Sequence, residues 1–229
     1  AVHNVGIYDG AIYMNDLIDP KNPSDIKVIM DDCLSDYQKG YRAFKIKIGR
    51  GYRWMNHDCG LTRDIEIVKN LHEQLPDVKI LVDANDGYTF EDTIHFLDGI
   101  RGCYWLEEPF REEERSLIKL KQYLGKWFPN TLIADGESML DESLLDTLLK
   151  KNLIDVALPD ICSYGFTAWR KRLEEMKGNY KAGPHAWGNK IKTNYCAHLA
   201  AAYSDKIPYV EGVLGETGGV DDKDYRIEN

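Results

Sequence analysis

Three acidic residues stand at or just past the end of short apolar runs: Asp83 after Lys79 to Val82, Glu107 after Cys103 to Leu106, and Glu137 shortly after Thr131 to Ala134. Hard divalent cations take oxygen ligands, and carboxylates repeated at strand ends supply them. Lys45 and Lys47 flank Ile46, and the period of two puts both ammonium groups on one face of a strand. Two ammonium groups held that close repel, so one gives up its proton more readily and can serve as a base. Asp160 follows Leu158-Pro159, and His185 follows Gly183-Pro184. On adjacent strand ends they can form a dyad in which the carboxylate orients the imidazole and raises its basicity. Glu211 closes a further apolar stretch after Val210. Taken singly, each of these residues has a plain structural use as a cap, a solvated strand end or an edge guard. Independent structural uses do not predict that all fall at consecutive strand ends in one register.

The elements that would position these residues alternate along the chain. Strands are expected at Val5 to Tyr8, Ala43 to Ile48, the three acid-bearing runs, Ile154 to Leu158, Tyr180 to Ala182 and Tyr209 to Val210. Helices are expected between them, from Ser24 to Gly40, Thr62 to Leu75, Phe90 to Gly99, Glu113 to Leu124, Asp141 to Lys151, Thr167 to Lys177 and Ile191 to Tyr203. In the second of these, Ile65, Val68, Leu71 and Leu75 recur at helical spacing. Eight strands with helical crossovers predict an α/β fold of the (β/α)8 barrel type, in which the residues just after each strand form the active face. An open doubly wound sheet allows the same alternation, but no Gly-rich phosphate loop supports it.

Composition narrows the partners. With 229 residues, 43% of them hydrophobic, the chain can bury a full core as a single domain. A net charge of −9, with no clustered basic face, argues against nucleic acid. No apolar run reaches the roughly 20 residues of a membrane span. Five scattered cysteines without metal spacing read as reduced thiols, so the expected location is the cytoplasm.

Six motifs in order carry a resemblance: Tyr41 to Gly49 with its paired lysines, Val82-Asp83-Ala84-Asn85, Trp105-Leu106-Glu107-Glu108-Pro109, Gly136-Glu137, Pro159-Asp160 and Pro184-His185. Together they resemble the barrel domain of the enolase superfamily, and within it the mandelate racemase subgroup, over roughly residues 40 to 212. Muconate-lactonizing relatives carry a lysine where this chain has Asp160, which favours the racemase-like and acid-sugar-dehydratase-like branch.

The resemblance implies one Mg²⁺ held by Asp83, Glu107 and Glu137, with a small-molecule carboxylate, an acid sugar or 2-hydroxy acid, as substrate. Lys47 would remove the proton α to the carboxylate on one face, tuned by Lys45, which also lies near that carboxylate. His185, oriented by Asp160, would be acid or base on the other face. Glu211 would donate a hydrogen bond to the enediolate, and Asn85 would contact the substrate hydroxyl. The expected reaction is dehydration to a 2-keto-3-deoxy acid by a lyase, with a racemase or epimerase as alternative and a non-catalytic metal-binding barrel as a third reading. The family's Gly-Glu pattern favours Glu137 over Asp135 as third ligand, and its first acid of Glu-Glu-Pro favours Glu107 over Glu108.

The superfamily carries a capping domain before its barrel, whereas this chain opens at Ala1 on what reads as the first barrel strand and stops at Asn229. It is therefore expected to be the barrel domain only, residues 1–229, incomplete at its end, of a full-length protein that forms a homo-oligomer. Arg50 to Gly60, with Arg53, Trp54 and His57, reads as a lid, a specificity loop or a surface insertion.

Overall fold

The computed structural model describes residues 4–100, 102–138 and 141–213. Strand and helix alternate as β1 (Ile7–Ile12), α1 (Lys27–Gln38), β2 (Ala43–Lys47), α2 (Arg50–Arg53), α3 (His57–Gln74), β3 (Lys79–Asp83), α4 (Phe90–Gly99) and β4 (Trp105–Glu107). They continue as α5 (Glu114–Trp127), β5 (Leu132–Asp135), α6 (Glu142–Lys150), β6 (Val156–Ala157), α7 (Phe166–Glu175), β7 (Lys181–Ala182), α8 (Lys190–Ala202) and β8 (Val210–Gly212). All eight expected strands are present, shifted by a few residues, and β6 and β7 are only two residues long. No helix among the described residues is long and apolar enough to cross a membrane.

The chain divides into two compact units, with the breaks falling inside β1 and β5. The unit Ile12–Ile133 is built on β2, β3 and β4, which pair in parallel with Lys47 opposite Asp83 and Asp83 opposite Glu107. A lysine, an aspartate and a glutamate therefore share one rung across three strands. Phe44, Ile46, Leu81, Val82, Trp105 and Leu106 fill the strands with fully buried apolar side chains, as parallel strands covered on both faces require. The other unit, residues up to Ala11 with those from Ala134 on, pairs β5 with β6, β6 with β7, and β1 with β8, again in parallel. Past the two short strands a single bridge joins Asp160 to His185.

Helices begin where side chains satisfy the open N–H groups of the first turn. Asn56 caps α3, Asp141 caps α6, and Thr89 forms a reciprocal capping box with Asp92 at α4. The helix expected from Thr62 starts five residues earlier, at His57, because Asn56 caps it there. Its buried face runs through Leu61, Asp64, Ile67, Val68 and Leu71, while Ile65 is only half-buried. An aspartate on that apolar face is matched by Arg50, which is itself fully buried. In the segment after β2 a Cβ added to Gly60 would lie 2.2 Å from the Gly51 nitrogen, so α2 sits directly on the first turn of α3, while residues 52–54 and 56–59 are exposed.

Candidate active site

In the unit Ile12–Ile133 the strand exits place two lysines among two carboxylates. Lys45 Nζ donates to Glu107 Oε1 at 2.8 Å and lies 3.4 Å from Asp83 Oδ2, with all three groups buried. Lys47 Nζ donates to the same Asp83 oxygen and, at 2.8 Å, to Asn85 Oδ1. The repulsion expected between the lysines is thus offset by a carboxylate they share. Burial raises the Asp83 carboxyl, but the charges of Lys45 and Lys47 outweigh it and hold the group down at about 2. It is ionised at neutral pH, the state a cation ligand needs. Trp105 Nε1 donates to the second oxygen of Glu107 at 3.1 Å, so that side chain is fixed through both oxygens.

The turns beyond these strands are unusual. Asn85, Asp86 and Glu108 all take positive φ, at 44°, 59° and 38°. Left-handed backbone at a residue with a side chain costs about 1 kcal/mol or more, and such strain gathers at functional sites. It is held by Asp86 N donating to the Glu108 carbonyl oxygen at 2.8 Å and Tyr88 N to that of Pro109 at 3.1 Å. Glu108 is buried and lies 3.4 Å from Asn85 Nδ2 as an acceptor. Asn85, read from the sequence as a substrate contact, therefore bridges Lys47 and Glu108.

In the other unit, Gly136 at φ +117° turns the chain out of β5, with Leu145 already 3.2 Å from where a Cβ would stand. That is the physical reason for glycine before Glu137. Asp135, the competing ligand, is fully buried inside β5, whereas Glu137 lies beyond the strand with Oε2 3.2 Å from His185 Nε2. His185 Nδ1 pairs with Asp160 Oδ2 at 2.9 Å, giving the expected dyad. Asp160 Oδ1 accepts from the backbone N–H groups of Cys162 and Ser163, and Oδ2 also accepts from Lys192 Nζ at 2.7 Å. Burial raises this carboxyl, but Lys192, the two N–H groups and His185 bring it down to about 2. Glu211, opposite Tyr8 in the β1–β8 pairing, accepts from Ala186 N at 2.8 Å and lies 3.8 Å from His185 Nε2. Gly10 leaves room for it, since a Cβ there would stand 2.5 Å from Glu211 Oε1.

Reading the sequence missed Lys192 and the buried cluster of Asp16, Arg50 and Asp64. An acid at position 64 on an apolar helix face was a visible signal for the cluster. Lys192 had none, because a lysine in the first turn of a helix is ordinary.

The sequence matches the family described as enolase C-terminal domain-like over residues 30–227, and the chain belongs to it. Its alternating strands and helices are therefore those of the α/β barrel of the enolase superfamily, in the mandelate racemase branch. A solved galacturonate dehydratase from Geobacillus sp., complexed with D-galacturonate and 5-keto-4-deoxy-D-galacturonate, is 35% identical with a TM-score of 0.89, covering 98% of this chain and 61% of that one. A mandelate racemase/muconate lactonizing protein from Geobacillus sp. Y412MC10, complexed with magnesium and tartrate, is 33% identical with a TM-score of 0.85, covering 100% of this chain and 60% of that one. Among curated proteins, D-galactarolactone cycloisomerase of Agrobacterium fabrum is 28% identical over 170 residues, 72% of this chain and 41% of that protein. The chain thus spans about 40–60% of the length of these relatives. The paired carboxylates of Asp83 and Glu107 are oxygen donors of the kind that magnesium takes.

Proposed function

We propose that both units form one catalytic barrel domain that removes the proton α to a carboxylate with the help of Mg²⁺, and that its reaction is the dehydration of an acid sugar to a 2-keto-3-deoxy acid. Asp83, Glu107 and Glu137 would hold the ion, which when bound supplies positive charge against the developing oxyanion. The observation that carries the reading is the His185–Asp160 pair: Nδ1 is engaged by an ionised carboxylate, which leaves Nε2 to take or give the proton.

Lys47 serves as the base on one face, and Lys45 fixes Glu107 while adding positive charge near the substrate carboxylate. His185 then protonates the departing β-hydroxyl. Glu211 and Asn85 orient the substrate oxygens. The likeness to a galacturonate dehydratase at 35% identity supports an acid sugar as substrate. A racemase or epimerase is the second reading, favoured by the presence of two separate candidate bases, Lys47 and His185.

Incubation with galacturonate, tartrate and wider aldonate and aldarate sets distinguishes the two. A semicarbazide-reactive 2-keto acid is expected of the dehydratase, and deuterium uptake at Cα without keto acid of the racemase. Lys47→Ala and His185→Asn should each lower turnover by roughly 10³-fold. If every activity survives both substitutions, neither Lys47 nor His185 carries it and the proposal fails.

A further inference from the structure

Arg50 follows Lys47 by three residues, and its guanidinium is fully buried. Nε and Nη2 donate to the two oxygens of Asp16 at 3.1 and 2.7 Å, and Nη1 donates to Asp64 Oδ1 at 2.7 Å. Nη1 also donates to the backbone carbonyl oxygen of Lys47 at 2.8 Å. Asp64 Oδ2 accepts from Gly49 N at 2.8 Å, Arg50 N at 3.1 Å and the Tyr88 hydroxyl at 2.8 Å. One carboxylate therefore ties the exit of β2 to the exit of β3, and the guanidinium closes the ring on the peptide of Lys47.

Packing alone does not account for this arrangement. Desolvating a guanidinium and two carboxylates costs several kcal/mol per ion, and apolar side chains of similar volume would seat α3 as well. An apolar side chain cannot hold the Lys47 carbonyl. The Ile48 N–H of the peptide after Lys47 still donates to the Asp83 carbonyl oxygen at 2.8 Å, but its carbonyl is held by Arg50, and the chain turns sharply out of β2 at Gly49, with φ +91°. A base on a flexible four-carbon stem works only from a fixed origin, because misplacement by about 1 Å can cost 10²-fold in rate.

We infer that Arg50 is a positioning residue for Lys47: pinned by Asp16 and Asp64, it fixes the Lys47 peptide and with it the direction from which Nζ approaches the substrate. The inference rests on the role proposed for Lys47 above. It does not extend to His185, which belongs to the other unit.

The test uses the magnesium-loaded protein with D- and L-tartrate in D₂O, following loss of the C–H signal by proton NMR. Tartrate has the same configuration at both carbinol carbons, so each enantiomer offers its hydrogens to one base. Arg50→Lys should slow exchange about 10²-fold for the enantiomer that depends on Lys47 and leave the His185-dependent one unchanged. Equal loss with both enantiomers, or no loss with either, overturns the inference and leaves the roles of Lys47 and His185 standing. Exchange that is absent in the wild type, or indifferent to both Lys47→Ala and His185→Asn, sinks the proposed function and this inference with it. Asp64→Asn keeps the shape of the cluster and should show the same asymmetry if Arg50→Lys does not fold. A crystal structure of either variant gives a readout apart from activity: Lys47 Nζ should move away from Asn85 Oδ1, now at 2.8 Å, and an unmoved Lys47 overturns the inference.

Discussion

In the unit Ile12–Ile133 the charged groups lie within or directly at the ends of regular strands, whereas in the other unit Asp160 and His185 lie past strands of two residues. Lys45, Asp83 and Glu107 are at most 1% exposed and find their partners among one another on neighbouring rungs. His185, Asp160 and Glu137 keep 10–17% side-chain exposure and are held by one bridge, two backbone N–H groups and a lysine from a helix. Burial makes the first arrangement rigid and intolerant of change, because each group removed leaves a charge without water. Partial exposure makes the second adjustable, which suits the role proposed for the imidazole, a change of protonation state during the reaction.

The comparison is broken most severely at Lys45. Lys45→Met leaves Glu107 without its ammonium partner in a site without solvent, and breaking a buried pair in this way costs about 3–5 kcal/mol. Thermal melts in EDTA should show that loss, and added Mg²⁺ should recover part of it by supplying the missing positive charge. A melting temperature unchanged in EDTA would show that the lysine-bearing unit is no more rigid than the other. Next in size is a test of which acid binds the ion. Glu107→Gln should weaken Mg²⁺ binding by about 10²-fold, since an oxygen ligand and its charge are lost together. Glu108→Gln should leave the affinity nearly intact by calorimetry, because Glu108 faces Asn85. The opposite pattern would place the ligand register one residue further along.

How much of this could be read in the sequence follows the same division. The paired lysines and Asp83 were legible because strand period fixes the face on which a side chain falls, and the structure puts Lys47, Asp83 and Glu107 on one rung. The dyad was legible from Pro-Asp and Pro-His motifs, although its strands are too short for periodicity to reveal. Two features were not. The course of residues 50–60 depends on Gly51 meeting Gly60 and on Asp64 reaching back to Gly49, contacts that a pattern of apolar residues does not encode. The contact of Glu108 with Asn85 depends on positive φ at both residues, which strand alternation does not encode.

Lys192 sharpens the comparison from its weaker side, because it forms the same kind of lysine–carboxylate contact as Lys45 but at 24% exposure. Solvent should reduce its worth to about 1 kcal/mol or less. The Asp160 carboxyl sits at about 2, below the usual carboxylate range, so its contribution to stability is present above the unfolded value near 4 and is lost as pH falls through about 2. Lys192→Met removes the first of the interactions that lower it, which raises the folded value, so less of this stability is present at neutral pH and its loss on acidification is complete at a higher pH. Stability at pH 7, from urea melts followed by circular dichroism, should therefore fall by about 1 kcal/mol or less, and the difference from the wild type should shrink as pH falls toward 2. In an Asp160→Asn background the same substitution should move nothing, since the carboxylate it acts on is gone. An equal shift in both backgrounds would mean that Lys192 acts through the packing of α8, and the charge contrast between the two units would then rest on Lys45 alone.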